Sequence, residues 1–203
     1  MIVGKTLGAN SLAAVGSTSI IIYFVFCFIN GFTGGFGICL GQRCGAKDEK
    51  GMRKSVAAST LLSIIFTIVL TLICCLLAHQ ILRWMQIPDD ISGEAYDYMF
   101  VVLLGTGATV FYNMISNMLR ALGDSKTSLY FLVFSSVLNI FLDILFIVPF
   151  HMGVAGVAIG TVVSQFISCV LVLRCLHHSE GSYQLRFSKL TIKSFYLKQI
   201  FQV

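Results

Sequence analysis

The chain alternates between long apolar stretches and short polar clusters along most of its length. Five of the apolar stretches reach about 20 residues or more, which is the length a helix needs to cross a hydrocarbon layer of roughly 30 Å. The pattern therefore predicts an all-α fold, a polytopic transmembrane helix bundle. The five predicted spans are residues 17–40, 56–78, 98–119, 128–150 and 154–176.

The polar segments between the spans indicate where the chain turns. Residues 42–55 separate the first two spans, and residues 120–127 separate the third span from the fourth. Residues 79–97 include Trp84, and because amphipathic rings favour the membrane surface, this stretch predicts an interfacial segment. Pro88 marks the turn into the next helix, since proline is tolerated at a helix start and avoided in the interior.

Composition and charge agree with a membrane location. Of the 203 residues, 57% are hydrophobic and 11% are charged, so a single water-facing core could not hide the apolar surface. The basic residues behind the net charge of +5 lie in loops between the spans, which makes nucleic-acid binding a poor interpretation. Most Lys and Arg residues fall on one side of the spans, the cytoplasmic side by the positive-inside rule. Residues 1–176 then form the transmembrane bundle, and residues 177–203 a basic cytoplasmic connector or tail.

No pattern in the chain is typical of an enzyme. A Gly-rich phosphate loop, a His-Glu metal spacing and a nucleophile elbow are all missing from the sequence. The seven cysteines fall mostly inside apolar runs and lack C-x-x-C spacing, so they predict neither a metal site nor a disulfide framework. We therefore expect no catalytic residue, no cofactor and no metal other than a coupling ion.

One carboxylate lies inside a predicted span. Asp143 sits about two-thirds along the fourth span, where a charged group costs on the order of 2.5 to 3.5 kcal/mol and usually faces a cavity or an ion path. Ser136, Asn139 and Asp143 are spaced by three and four residues, so they share one helix face. These oxygens suit a proton site or part of a Na⁺ cage. The alternative is a protonated Asp143 bonded to Asn139 that holds helices together.

Small residues in two spans predict close helix packing. The fifth span repeats them at intervals of four: Gly156, Gly160, Ser164 and Ser168. Small residues at this spacing let two helices approach closely. Thr161 and Gln165 lie beside this stripe, and packing or lining of a cavity are equally open for them. Gly31 and Gly35 in the first span are interpreted as packing or bending points.

The third span carries Asn113 and Asn117 one helical turn apart. Amides at this spacing can line a polar vestibule or hydrogen-bond to a neighbouring helix. Hydrogen bonds between helices are the favoured interpretation, and Asn113 stays a candidate for the cavity lining together with Ser136 and Gln165.

Four segments in register resemble the multidrug and toxic compound extrusion family, from about residue 3 to residue 176. They are GQRCGAKDEKGMRKS after the first span, MLRALGDSKTSLYF between the third and fourth, LNIFLDILFI in the fourth and MGVAGVAIGTVVSQ in the fifth. The resemblance implies twelve helices in two lobes, of which the five spans here match helices two to six of the N-terminal lobe. It also implies a cation site formed by Asn139, Asp143 and Thr161.

The function that this resemblance implies is antiport. A multi-pass protein of the cell membrane would export small cationic or amphipathic compounds while Na⁺ or H⁺ flows inward, with lipid and substrate as its partners. The family's first helix, which carries a further carboxylate, and its second lobe are expected to be missing from this chain. A lipid-linked precursor flippase of the same superfamily and a truncated remnant that does not transport are the alternatives.

Overall fold

A computed structural model of the protein describes residues 8–178, and the structural statements below refer to that part of the chain. It contains six helices, namely α1 (Ala9–Gly45), α2 (Glu49–Trp84), α3 (Asp89–Leu104), α4 (Thr106–Ala121), α5 (Ser125–Ile147) and α6 (Gly153–His178). Helices α1, α2, α5 and α6 are long and apolar enough to cross a membrane, and α3 with α4 makes a fifth span if the bent pair is one. The predicted all-α bundle of five spans is confirmed. Most of the predicted tail, residues 179–203, lies outside the described residues.

The outer surface of the bundle is apolar. Helix α2 exposes large hydrophobic side chains spaced three or four residues apart: Ile65, Ile68, Val69, Leu72, Ile73 and Leu76. Its opposite face buries small polar residues such as Ser59 and Ser63. A soluble protein rarely exposes an apolar surface of this extent, whereas lipid solvates it without cost.

Two large clusters and one small cluster of buried apolar side chains form the core of the described residues. The first joins α1, α2 and α3 through Ile29, Ala78 and Met99, and the second joins α1 to α4 through Leu40 and Ile115. Helix α1 therefore runs through both large clusters and organises the bundle. Helix α5 packs chiefly against α6, so these two helices form a pair on one side of the lobe.

The two polar turns singled out in the sequence share one backbone geometry. Each helix end is closed by a residue of positive φ, Lys47 at 54° and Gly123 at 88°. The next residue, Asp48 or Asp124, donates its backbone N–H to the carbonyl five residues earlier, at 3.1 and 3.0 Å. The carboxylate of the same aspartate then accepts the backbone N–H three residues on, at 2.9 and 3.1 Å. One short motif thus ends one helix and starts the next.

The predicted third span is not one helix. The helix is interrupted at Gly105, and the pair formed by α3 and α4 is bent there by 46°. The Thr106 hydroxyl donates to the Leu103 carbonyl across the break, which gives that carbonyl a partner. The predicted third span, residues 98–119, is therefore a bent pair of helices, because an apolar run indicates the length of a span and not its straightness.

The predicted interfacial segment contains the end of α2 and the start of α3, and its place at the membrane surface stays a prediction. Helix α2 continues to Trp84 and α3 begins at Asp89, so most of residues 79–97 are helical. Leu82 and Ile91 belong to the first core cluster, and their burial keeps both helix ends inside the bundle. The turn into the next helix at Pro88 is confirmed, since Pro88 directly precedes α3.

Helices α1 and α4 cross closely at Gly37 and Asn117. A Cβ atom added to Gly37 would lie 3.0 Å from the Asn117 carbonyl oxygen. The Asn117 amide donates to the Thr33 hydroxyl at 3.1 Å, which confirms a hydrogen bond between helices for that residue. Gly31 and Gly35 would meet nothing within 4 Å, so within the described chain they do not pack against another helix.

This crossing gives a matched pair of substitutions. Gly37→Ala is expected to lower the melting temperature by about 3 °C, because overpacking at the Asn117 backbone outweighs the gain in helix propensity. Gly41→Ala places its Cβ at an ordinary 3.7 Å from Ala121 and should leave the melting temperature unchanged or slightly higher. Thermal unfolding in detergent, followed by circular dichroism, measures both. Equal melting temperatures for the two variants would contradict the tight crossing.

Candidate cation site

The candidate site lies where α5 and α6 approach each other most closely. The two helices are joined by residues 148–152, and glycines on α6 face α5 directly. A Cβ added to Gly156 would lie 3.1 Å from the Cβ of Phe146, and one added to Gly160 would lie 2.5 Å from Oδ1 of Asp143. The predicted packing role of these two glycines is therefore confirmed.

Three of the predicted site residues meet at this contact. The Asn139 amide donates to the Thr161 hydroxyl at 3.3 Å and, over a longer distance of 3.5 Å, to Oδ1 of Asp143. The Thr161 hydroxyl in turn donates to the Val157 carbonyl at 3.1 Å, which fixes its lone pairs toward Asn139. A carboxylate, an amide and a hydroxyl from two helices thus form one polar cluster, called the cation cluster below (Asn139, Asp143 and Thr161).

Within the described chain, Asp143 has no basic partner, and the residues that follow it in sequence are apolar. Its side chain is half-buried, and residues 144–150 that follow it are all apolar. In the part of the chain that the structure describes, Asn139 is its hydrogen-bond donor and no Lys or Arg pairs with it. As an anion, this carboxylate has a single hydrogen-bond donor to offset its charge among the described residues.

Two further residues around the carboxylate escaped the sequence analysis as site residues. Tyr98 on α3 packs against the small core cluster, which consists of Ile22, Val102 and Ala158. It lies near enough to Asp143 for a Coulomb interaction with the carboxylate. Gly160 was predicted only as a packing residue, yet its missing side chain is what leaves room for the Asp143 carboxylate. The interval-of-four pattern could have indicated a close contact at Gly160, whereas nothing in the sequence pattern indicated Tyr98.

The other three candidates do not join the cation cluster. Ser136 is exposed, and its hydroxyl donates to the Leu132 carbonyl at 2.9 Å in its own helix. The Asn113 amide likewise donates to Thr109 one turn earlier, at 2.8 Å. Gln165 lies one turn beyond Thr161, and within the described chain its buried Oε1 has no hydrogen-bond partner. Their predicted place in the cavity lining stays a prediction.

Comparison with known proteins adds the family. The MatE family model matches residues 1–145, well over half of the chain. The chain belongs to the MatE family. Probable multidrug resistance protein YpnP of Bacillus subtilis (strain 168) is 37% identical over 166 residues, which are 82% of this chain and 37% of that protein. The resemblance found in the four sequence segments is thereby confirmed.

Solved structures of this family share the fold. An inward-facing conformation of a multidrug resistance MATE family transporter of the MOP superfamily matches with a TM-score of 0.89 and 28% identity, over 98% of this chain and 45% of that one. The outward-facing conformation matches with the same TM-score of 0.89 and 28% identity, over 100% of this chain and 45% of that one. The chain thus spans less than half the length of the relatives it matches.

Family membership also bears on the broader predictions. The matched proteins are transporters and not enzymes, in agreement with the expected class. The prediction of a multi-pass protein of the cell membrane is confirmed by the apolar spans together with the MatE fold.

Proposed function

We propose that this lobe belongs to a cation-coupled multidrug efflux antiporter, in which the cation cluster binds Na⁺ or H⁺. The observation that carries the proposal is the meeting of Asn139, Asp143 and Thr161 at the contact between two membrane helices. Polar groups at this depth are costly unless they are used, and the MatE relatives carry the name of multidrug resistance proteins.

The cation cluster can accept a proton as it stands, and it can bind Na⁺ after one small rearrangement. A proton adds to the Asp143 carboxylate directly and removes the uncompensated charge. Na⁺ prefers oxygen ligands, and Asn139 now directs its amide nitrogen toward the other two side chains. Rotation of the Asn139 amide by half a turn replaces this nitrogen with oxygen, so carboxylate, amide and hydroxyl oxygens then converge on one ion.

Binding of the ion changes the charge of a side chain on α5 at its contact with α6. We infer that neutralisation of Asp143 favours one orientation of the lobe and that release of the ion favours the other. Equal similarity of the lobe to inward-facing and outward-facing structures supports motion as a rigid body. Alternating access needs a second lobe, so the substrate cavity would lie between this lobe and that partner.

The substrates of this antiporter would be small cationic or amphipathic compounds that enter from the membrane or the cytoplasm. Lipid would surround the outer face, and no cofactor is required because the ion gradient supplies the driving force. The exposed Ser136 and Gln165, whose buried Oε1 has no partner in the described chain, are our candidates for the residues that face such a compound.

Gradient-driven transport tests the proposal. In inverted membrane vesicles from cells that express this lobe together with a second lobe, a cationic dye such as ethidium should accumulate when a Na⁺ or H⁺ gradient directed outward from the lumen is imposed. Dissipation of the effective gradient by the matching ionophore should stop accumulation, and the ionophore for the other ion should not. Accumulation that ignores both gradients, or none above vesicles that lack the protein, would contradict antiport.

A further inference from the structure

The break between α3 and α4 lies directly against the helix that carries Thr161. A Cβ atom added to Gly105 would overlap the Val162 side chain of α6, and all three of its nearest neighbours belong to Val162. Gly105 has φ of −76° and ψ of −2°, an ordinary helical conformation. Glycine is therefore required here for space and not for backbone freedom.

Helix α6 is held from two opposite sides at this level. Successive residues of a helix are rotated by about 100°, so Gly160 and Val162 point to nearly opposite sides. Gly160 rests on Asp143 of α5, while Val162 fills the space at Gly105. Thr161 lies between them in sequence, and its hydroxyl faces Asn139. A displacement of α6 in either direction thus changes the spacing of the cation cluster.

The break itself is supported by a third helix. A Cβ added to Gly107 would lie 3.2 Å from the Cγ2 methyl of Thr67 on α2. Gly105 is buried, and its backbone N–H still donates to the Val101 carbonyl at 3.1 Å. The bend is thus packed on both sides, against α2 and against α6, and it forms a fixed notch.

We propose that the notch at Gly105 positions the cation cluster by seating Val162, so that Thr161 stays within reach of Asn139 and Asp143. Gly105 and Val162 touch neither ion nor substrate and act as positioning residues. The inference rests on the proposed function, because its consequence is a change in the affinity for the coupling ion. The geometry assigns to the bend in the third span a role in ion binding.

Gly105→Ala tests the positioning role. The added methyl group pushes Val162, and α6 with it, toward α5. We expect the concentration of coupling ion needed for half-maximal dye efflux to rise about tenfold, an effect typical of overpacking. The maximal rate at saturating ion and the KM for the dye should stay within about twofold of wild type. Gly93→Ala, on the same helix and with nothing within 4 Å, is the matched control and should change neither value.

Removal of the obstructing side chain should rescue the defect. The double variant Gly105→Ala with Val162→Ala makes room for the added methyl, and its half-maximal ion concentration should return to within about threefold of wild type. If Gly105→Ala does not accumulate in membranes, Val162→Ile probes the same contact from α6 and should raise the half-maximal ion concentration by several-fold.

The outcomes separate this inference from the proposed function. Wild-type protein without ion-driven efflux would refute antiport itself. With wild-type efflux intact, an unchanged ion dependence in Gly105→Ala and Val162→Ile would overturn the positioning role. A double variant as impaired as Gly105→Ala would overturn it too, because the defect would then not arise from Val162.

Discussion

Asp143→Asn is expected to abolish drug tolerance while the protein still accumulates in the membrane. The amide has nearly the same shape as the carboxylate and can keep the contact with Asn139, but it takes up no proton and supplies no charge to balance Na⁺. Removal of an ionisable group from a membrane span also lowers the insertion cost, so expression should be at least that of wild type. Minimum inhibitory concentrations of cationic drugs in an efflux-deficient host measure the effect, and they should fall to the values of the empty vector.

A matched control separates the role of the site from a general loss of negative charge. Asp90→Asn makes the same chemical change at an exposed position in the first turn of α3. It should weaken the interaction with the helix dipole by less than about 1 kcal/mol and leave tolerance unchanged. Wild-type tolerance in Asp143→Asn, at equal expression, would remove Asp143 from the mechanism.

Hydropathy gave a reliable account of the number of spans and a poor account of their shape. The lengths of the apolar runs identified all five candidate membrane spans of the described chain, because a hydrocarbon layer imposes a minimum length on any span. The break at Gly105 was not predicted, since residues 98–119 contain no proline and no charged residue. Its position depends on Val162 and Thr67, which are distant in sequence and reach the break only in the folded bundle.

In the candidate site, too, local spacing predicted some residues, whereas others depend on how the helices pack. Asn139 and Asp143 share a face because they are four residues apart in one helix, and that part followed from spacing alone. Thr161 entered through the family resemblance, because the register between α5 and α6 cannot be obtained from the periodicity of either helix. Tyr98 lies near Asp143 on a third helix, and no feature of the sequence pattern predicted this position.

The same distinction explains the glycines. Spacing by four residues correctly indicated a close contact for Gly156 and Gly160, whereas the similar pair Gly31 and Gly35 meets nothing within 4 Å in the described chain. Small size makes a close approach possible but does not specify the partner. At Gly160 the partner is the carboxylate itself, which turns a packing residue into one on which the site depends.

Gly160→Ala is therefore expected to impair efflux nearly as strongly as loss of the carboxylate. The new Cβ would lie 2.5 Å from Oδ1 of Asp143 and 3.3 Å from the backbone nitrogen of the same residue. Either the carboxylate swings away or α6 withdraws, and withdrawal lengthens the 3.3 Å contact between Asn139 and Thr161. Efflux at ordinary ion concentrations should fall about 5- to 150-fold, as overpacking by about 1 to 3 kcal/mol implies.

Ion titration then separates displacement of the carboxylate from its loss. Gly160→Ala retains an ionisable Asp143, so a higher concentration of the coupling ion should restore much of its efflux, whereas Asp143→Asn should stay inactive at every concentration. Gly16→Ala, on α1 with nothing within 4 Å, adds the same methyl group away from the site and should behave as wild type. Normal ion dependence in Gly160→Ala would mean that the carboxylate works without the space that glycine leaves, and the cation cluster would then need a different arrangement.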